Sequence, residues 1–218
     1  MTRTLTQHRL QDFTKHDWQV VSDENLDAIW PYLELKTTQF PGGEYLFARP
    51  IAGQRNHLIW GGSYSRENYT INGVRIEDAI ENKLSAVNGE ILLANLSIPN
   101  PIVIRTCKFD FAVWSDFVEA NAYDQQMAIV APTAGISFFF DEELEYVLYS
   151  RVETEHPDPF PGITDQDLAE AFVADSAAPR RHGDRVRLPF LQEELLPDTE
   201  ERQFAELVST WIAELEAQ

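Results

Sequence analysis

The order of apolar patterns along the chain predicts an α+β fold: a largely antiparallel sheet with helices packed on it and an amphipathic helix at the C-terminus. Three observations lead there. Short aromatic and β-branched runs, separated by Gly, Pro, Asn and Ser, recur through the first two thirds, as antiparallel strands do. Segments of helical period stand between them singly, without the regular alternation of a parallel βαβ protein. The clearest helical pattern comes last.

In "SDENLDAIWPYLEL", Ser22 and Asp23 are candidate caps, and Leu26, Ile29, Trp30 and Leu33 follow at helical spacing until Pro31 kinks or breaks the turn. "GEYLFARP", "NHLIWGG" and "ENYTING" then read as a meander of short strands. After Gly73, "VRIEDAIENKLSAV" places Ile76, Ala79, Ile80, Leu84 and Val87 on one apolar stripe, which predicts a helix. "EILLANLSI" and "PIVIRTCKFDF" predict two strands joined by a turn at Pro99 and Pro101. "WSDFVEANAYDQ" reads as a short helix with Ser115 as its cap.

"QMAIVAP" and "GISFFFDEELEYVLYSRVE" supply three more strands. In the last of them Leu144, Tyr146 and Leu148 alternate with Glu143, Glu145 and Val147, which predicts one buried face and one wetted by carboxylates. "HPDPFPG", His156 to Gly162, breaks the pattern with three prolines. "TDQDLAEAFVAD" begins a helix at Thr164, with Asp167 in the reciprocal position of a capping box. "DTEERQFAELVSTWIAELEAQ" carries Phe204, Leu207, Val208, Trp211, Ile212 and Leu215 on a continuous stripe. The 218 residues are enough for one domain spanning 1–218; a helical subdomain from about 157 to 218 would have a weak core alone and is expected to pack on the sheet.

Hydrophobic residues make up 44% of the chain and aromatic residues 11%, so it is a globular sequence. Its apolar runs are far shorter than the roughly 20 residues of a membrane helix. The N-terminal stretch interrupts every apolar run with charge, unlike an export signal, and the lone Cys107 allows no internal disulfide. These features predict a soluble cytoplasmic protein.

The formal net charge is −19. Residues 1–110 hold 11 Lys+Arg against 13 Asp+Glu, and residues 111–218 hold 6 against 23, so balances of −2 and −17 divide the chain. All four lysines, Lys15, Lys36, Lys83 and Lys108, lie in the first half. Such a field repels nucleic acid and anionic membranes and draws in cationic partners. A basic protein is therefore the expected partner, and an immunity-type inhibitor of a basic toxin or effector is the concrete form of that expectation. Asp141, Glu142, Glu143, Glu145 and Tyr149, with Glu153 and Glu155 beyond them, are the candidate binding surface: carboxylates around an aromatic anchor suit a cationic protein face. The sequence leaves the oligomeric state open and names no cofactor, no metal and no catalytic residue.

Against this acidity, "RRHGDRVR" gathers Arg180, Arg181, Arg185 and Arg187 into eight residues. They can neutralise the acidic surroundings or hold a phosphate or carboxylate through bidentate forks. Together with His156, Asp158, His182 and Asp184 they form the alternative reading, an enzyme or small-anion-binding protein centred on loops 156–160 and 180–187. The two His-x-Asp units have metal-ligand chemistry, but Pro- and Gly-rich loops use Asp as a turn former, and the nearby arginines oppose a cation. "WGGSYS" fails as a nucleophile elbow because Ser65 stands where glycine is required. Cys107 between Arg105 and Lys108 has cations that could activate a thiol, with His57 a conceivable base, though burial beside Arg105 and Phe109 is the simpler expectation.

Overall fold

The computed structural model describes residues 17–21, 37–39, 46–48, 53–60, 69–96, 102–121, 126–141, 146–152 and 158–176. The predicted helices at 22–33 and at the C-terminus lie outside them. The described residues form an α+β structure around one seven-stranded sheet, built from β1 (Gln19–Val20), β4 (Arg55–Trp60), β7 (Ile91–Asn95), β8 (Ile102–Thr106), β9 (Gln126–Ala131), β10 (Ile136–Asp141) and β11 (Tyr146–Arg151). Their order across the sheet is β1-β8-β7-β9-β10-β11-β4, with every neighbouring pair antiparallel. Two separate ladders, β2 (Thr37–Gln39) with β3 (Leu46–Ala48) and β5 (Thr70–Ile71) with β6 (Val74–Arg75), complete the strands.

The short connections follow from turn chemistry. Asn72 and Gly73, both at positive φ (52° and 77°), make the two-residue turn that pairs Ile71 with Val74. Gly135, at φ 61°, ends a 3-10 turn over Pro132–Ala134 and returns the chain so that Ala131 faces Ile136. A Cβ at Gly135 would stand 2.6 Å from Val152 Cγ2, so the close approach of β11's end also requires glycine.

Three helices share one apolar core with alternate residues of the sheet. Helix α1 (Ile76–Ser85) buries Ile76, Ala79, Ile80 and Leu84, the stripe its sequence predicts. Helix α2 (Phe111–Ala120) buries Val113, Trp114, Phe117 and Val118, and the Trp114 ring lies 4.9 Å from that of Phe140. Its cap is Asp110, whose carboxylate accepts the Val113 N–H at 2.7 Å; Ser115 is an exposed mid-helix residue, because the apolar stripe starts before it. Helix α3 (Asp165–Ser176) adds Leu168, while Phe160 and Ile163 just before it belong to the same core.

The sheet is apolar on both sides. Phe138, Phe140, Ile129, Leu93 and Tyr149 point into the helix-covered core, and Phe139, Leu148, Tyr146, Val130 and Leu92 on the opposite side are equally buried. This corrects the expected half-wetted last strand: Tyr146 to Arg151 are all buried, so both faces of β11 are covered. Cys107 is corrected too. It falls just past the end of β8 and is exposed.

Candidate functional site

The ladder between β4 and β11 sets Arg55 opposite Arg151 and His57 opposite Tyr149. Alternation puts all four side chains on the helix-covered side, where the first residue of α3 meets them. The Asp165 carboxylate gathers them: Arg151 donates from Nη2 to both of its oxygens at 3.0 Å, and Arg55 Nη1 stands 3.2 Å from Oδ2. His57 Nε2 lies 2.7 Å from Oδ1. Arg151 is 3% exposed, His57 7% and Asp165 25%, whereas Arg55, at 48%, forms the solvent side of the cluster.

Local sequence explains why Asp165 arrives here. Thr164 accepts the first helical bond from the Leu168 N–H, and its hydroxyl accepts the Asp167 N–H at 3.1 Å. Asp167 in turn accepts the Thr164 N–H at 2.7 Å, which completes the predicted capping box and fixes the start of α3. An acid at the first helical position also suits the helix dipole. At the other end of the helix the Tyr69 hydroxyl donates to Asp175, tying α3 to the residues before β5.

Burial alone would raise the Asp165 carboxyl, but its contacts with His57 and Arg151 outweigh that and hold it down to about 2. It is therefore an anion throughout the neutral range. Burial pushes the Tyr149 hydroxyl in the opposite direction, well above its usual value; the Arg151 charge opposes the shift and Asp165 adds to it. The Tyr149 ring stacks on Phe138 at 4.7 Å and on Phe160 at 5.0 Å, and its hydroxyl donates to the Pro159 carbonyl at 3.4 Å. Chemically, the cluster neutralises and orients. His57 is too deeply enclosed to meet a substrate directly.

Of the sequence-derived candidates, Asp141 and Tyr149 are inside the protein. Asp141, 0% exposed, accepts a hydrogen bond from Gln126 Nε2 at 3.1 Å, and Tyr149 is 0% exposed in the aromatic stack. Neither belongs to a solvent-facing acidic surface: strand alternation had placed Tyr149 outward, but this strand has no outward face. Asp158 is exposed. Glu142, Glu143, Glu145, Glu153, Glu155, His156, Arg180, Arg181, His182, Asp184, Arg185 and Arg187 lie outside the described residues. His57 is on β4 and Cys107 follows β8, strands separated by five steps of the sheet, about 24 Å at the usual strand spacing, so they form no thiol–imidazole pair. Among the described residues no three His, Cys, Asp or Glu side chains gather as a metal-ligand set.

Sequence reasoning missed Arg55, Arg151 and Asp165. The one available signal was Arg55-x-His57 on a strand, which sets a guanidinium and an imidazole on a single face. These features define an α+β protein whose antiparallel sheet carries an enclosed ionic cluster at one edge and whose described helices are all too short or too polar to cross a membrane. No protein-family model matches the chain, nor does any curated protein or solved structure.

Proposed function

We propose that this chain is an acidic, non-enzymatic partner-binding protein whose target is a basic protein, in the form of an immunity-type inhibitor of a cationic toxin or effector. The observation that carries the reading is the balance of −17 concentrated in residues 111–218. Two features of the described residues support it. Their exposed large apolar side chains are Val20 and Val152 alone, so an association through this surface draws on charge more than on apolar burial. The ionic cluster around Asp165 docks α3 on the sheet, which is a structural use of those charges.

With Asp141 and Tyr149 in the core, the acidic binding residues of this reading are Glu142, Glu143, Glu145, Glu153 and Glu155. Joint reversal, Glu143→Lys with Glu145→Lys, is expected to slow association with the basic partner about tenfold at low salt and to flatten the salt dependence of the rate. Stopped-flow association against a panel of purified cationic nucleases and other basic proteins tests it. Unchanged rates for every protein that binds the parent would remove this surface.

A second reading keeps one observation in its favour. The Tyr149 hydroxyl reaches Pro159, so one end of loop 156–160 stands beside the Arg151–Asp165 cluster. An enzyme or small-anion-binding protein using loops 156–160 and 180–187 would be stabilised by phosphate-bearing ligands or divalent metals, and Arg185→Ala would abolish that effect. No thermal shift across such a panel would dismiss it.

A further inference from the structure

The dipeptide Asn-Gly stands at Asn72-Gly73 and again at Asn88-Gly89, and these residues are exposed at both places. In such a pair the asparagine can react with its own backbone. The nitrogen of the following residue attacks Asn Cγ, the new C–N bond closes a cyclic imide, and the side-chain nitrogen leaves as ammonia, carrying the displaced proton. Water then opens the ring at either carbonyl, which leaves aspartate or isoaspartate. Glycine favours the first step because it has no Cβ to crowd the attacking nitrogen. The attack also needs the backbone to turn until nitrogen and Cγ meet, so local restraint of the chain decides which asparagine reacts.

Asn72 is firmly restrained. It lies at φ 52° and Gly73 at φ 77°, the two turn positions of the β5–β6 hairpin. Ile71 pairs with Val74 across the turn, the Ile76 N–H donates to the Tyr69 carbonyl at 3.1 Å, and Ile71 and Ile76 are both buried in the core. The Tyr69 hydroxyl bond to Asp175 pins the same hairpin to α3. Bringing the Gly73 nitrogen onto Asn72 Cγ would break this pairing.

Asn88 has no such frame. The Val87 N–H closes the end of α1 on the Leu84 carbonyl at 3.0 Å, β7 starts at Ile91, and residues 88–90 between them belong to neither helix nor ladder. Gly89, at φ 150°, has a backbone that favours glycine, and a Cβ there would stand 2.6 Å from Thr133 Oγ1. Packing therefore demands glycine at the position that makes its neighbour reactive. We propose that Asn88 is a site of spontaneous deamidation in the folded protein, while Asn72, in the same dipeptide, is protected by its hairpin. Each event places a new carboxylate two residues before Glu90, the partner of Arg105. The proposal is independent of the partner-binding reading, because it involves none of the glutamates of that surface.

The test is peptide mapping by mass spectrometry of the full chain, incubated at mildly alkaline pH and sampled over time, with a parallel incubation in urea. In the folded protein the Asn88 peptide is expected to convert to a mixture of isoaspartate and aspartate roughly tenfold or more faster than the Asn72 peptide. Isoaspartate is read by enzymatic methylation. In urea the two peptides should convert at similar rates, since the hairpin is then gone. Asn88→Gln, at an exposed position, should fold as the parent does and keep its amide. Persistence of both amides in the folded protein, conversion of Asn72 as fast as Asn88, or a product containing aspartate without isoaspartate would overturn the proposal.

Discussion

The aromatic core in the middle of the sheet runs through Tyr149 right up to its β4–β11 edge, yet the two regions are held together by different physics. In the middle, Phe138, Phe140, Tyr149, Phe160 and Trp114 pack ring on ring without a charge among them. Area removed from water stabilises that region, and area has no required partner. At the edge, Arg55, His57 and Arg151 converge on the single carboxylate of Asp165. That arrangement is stable only while each member is present, since removing one charge exposes the desolvation cost of the others. The core therefore tolerates wide changes of solution conditions, whereas the docking of α3 depends on charge state.

The largest expected effect is in the middle. Phe138→Ala should cost about 3–5 kcal/mol, measured by urea unfolding, because a fully enclosed ring between Tyr149 and Phe160 leaves a cavity. Its cost should be nearly the same at pH 7 and pH 4. Asp165→Asn should cost about 3 kcal/mol at neutral pH, since Arg151 and His57 would then face an uncharged amide. This loss should depend on pH in a definite sense. The Asp165 carboxyl is held at about 2 against an ordinary 3.8, so its contribution is fully present above pH 3.8 and disappears as the pH falls through about 2. Parent and Asp165→Asn stabilities should therefore converge on acidification, and a constant difference down to pH 2 would refute the ionic account of the edge. The smallest effect is Thr164→Ala, about 1 kcal/mol by the same assay, from loss of the cap that positions Asp165.

Much of this architecture was legible in the sequence wherever it is local. The α1 stripe, the Thr164–Asp167 box and the strands of the β9–β10–β11 meander all depend on neighbours a few residues apart. The start of α2 was misread by five residues because Asp110 and Ser115 are both good caps, and only the position of the apolar stripe separates them. The ionic cluster was not legible. Asp165 lies 110 residues from Arg55 along the chain, and they meet because β4, formed early, joins the sheet beside β11. No local pattern encodes that register. The same long-range pairing buries Tyr149, which alternation alone had assigned to the surface.

We propose that charge displayed outside the core, and not chemistry within it, is what this protein offers its surroundings. The most direct test is affinity capture on the immobilised full chain from its native source, at low and at moderate salt, with the retained proteins identified by mass spectrometry and the leading one re-tested in purified form. One basic protein is expected, bound with high affinity at low salt and released progressively as salt rises. If the retained material contains no basic protein at either salt concentration, or if a purified partner binds independently of salt, the claim is contradicted.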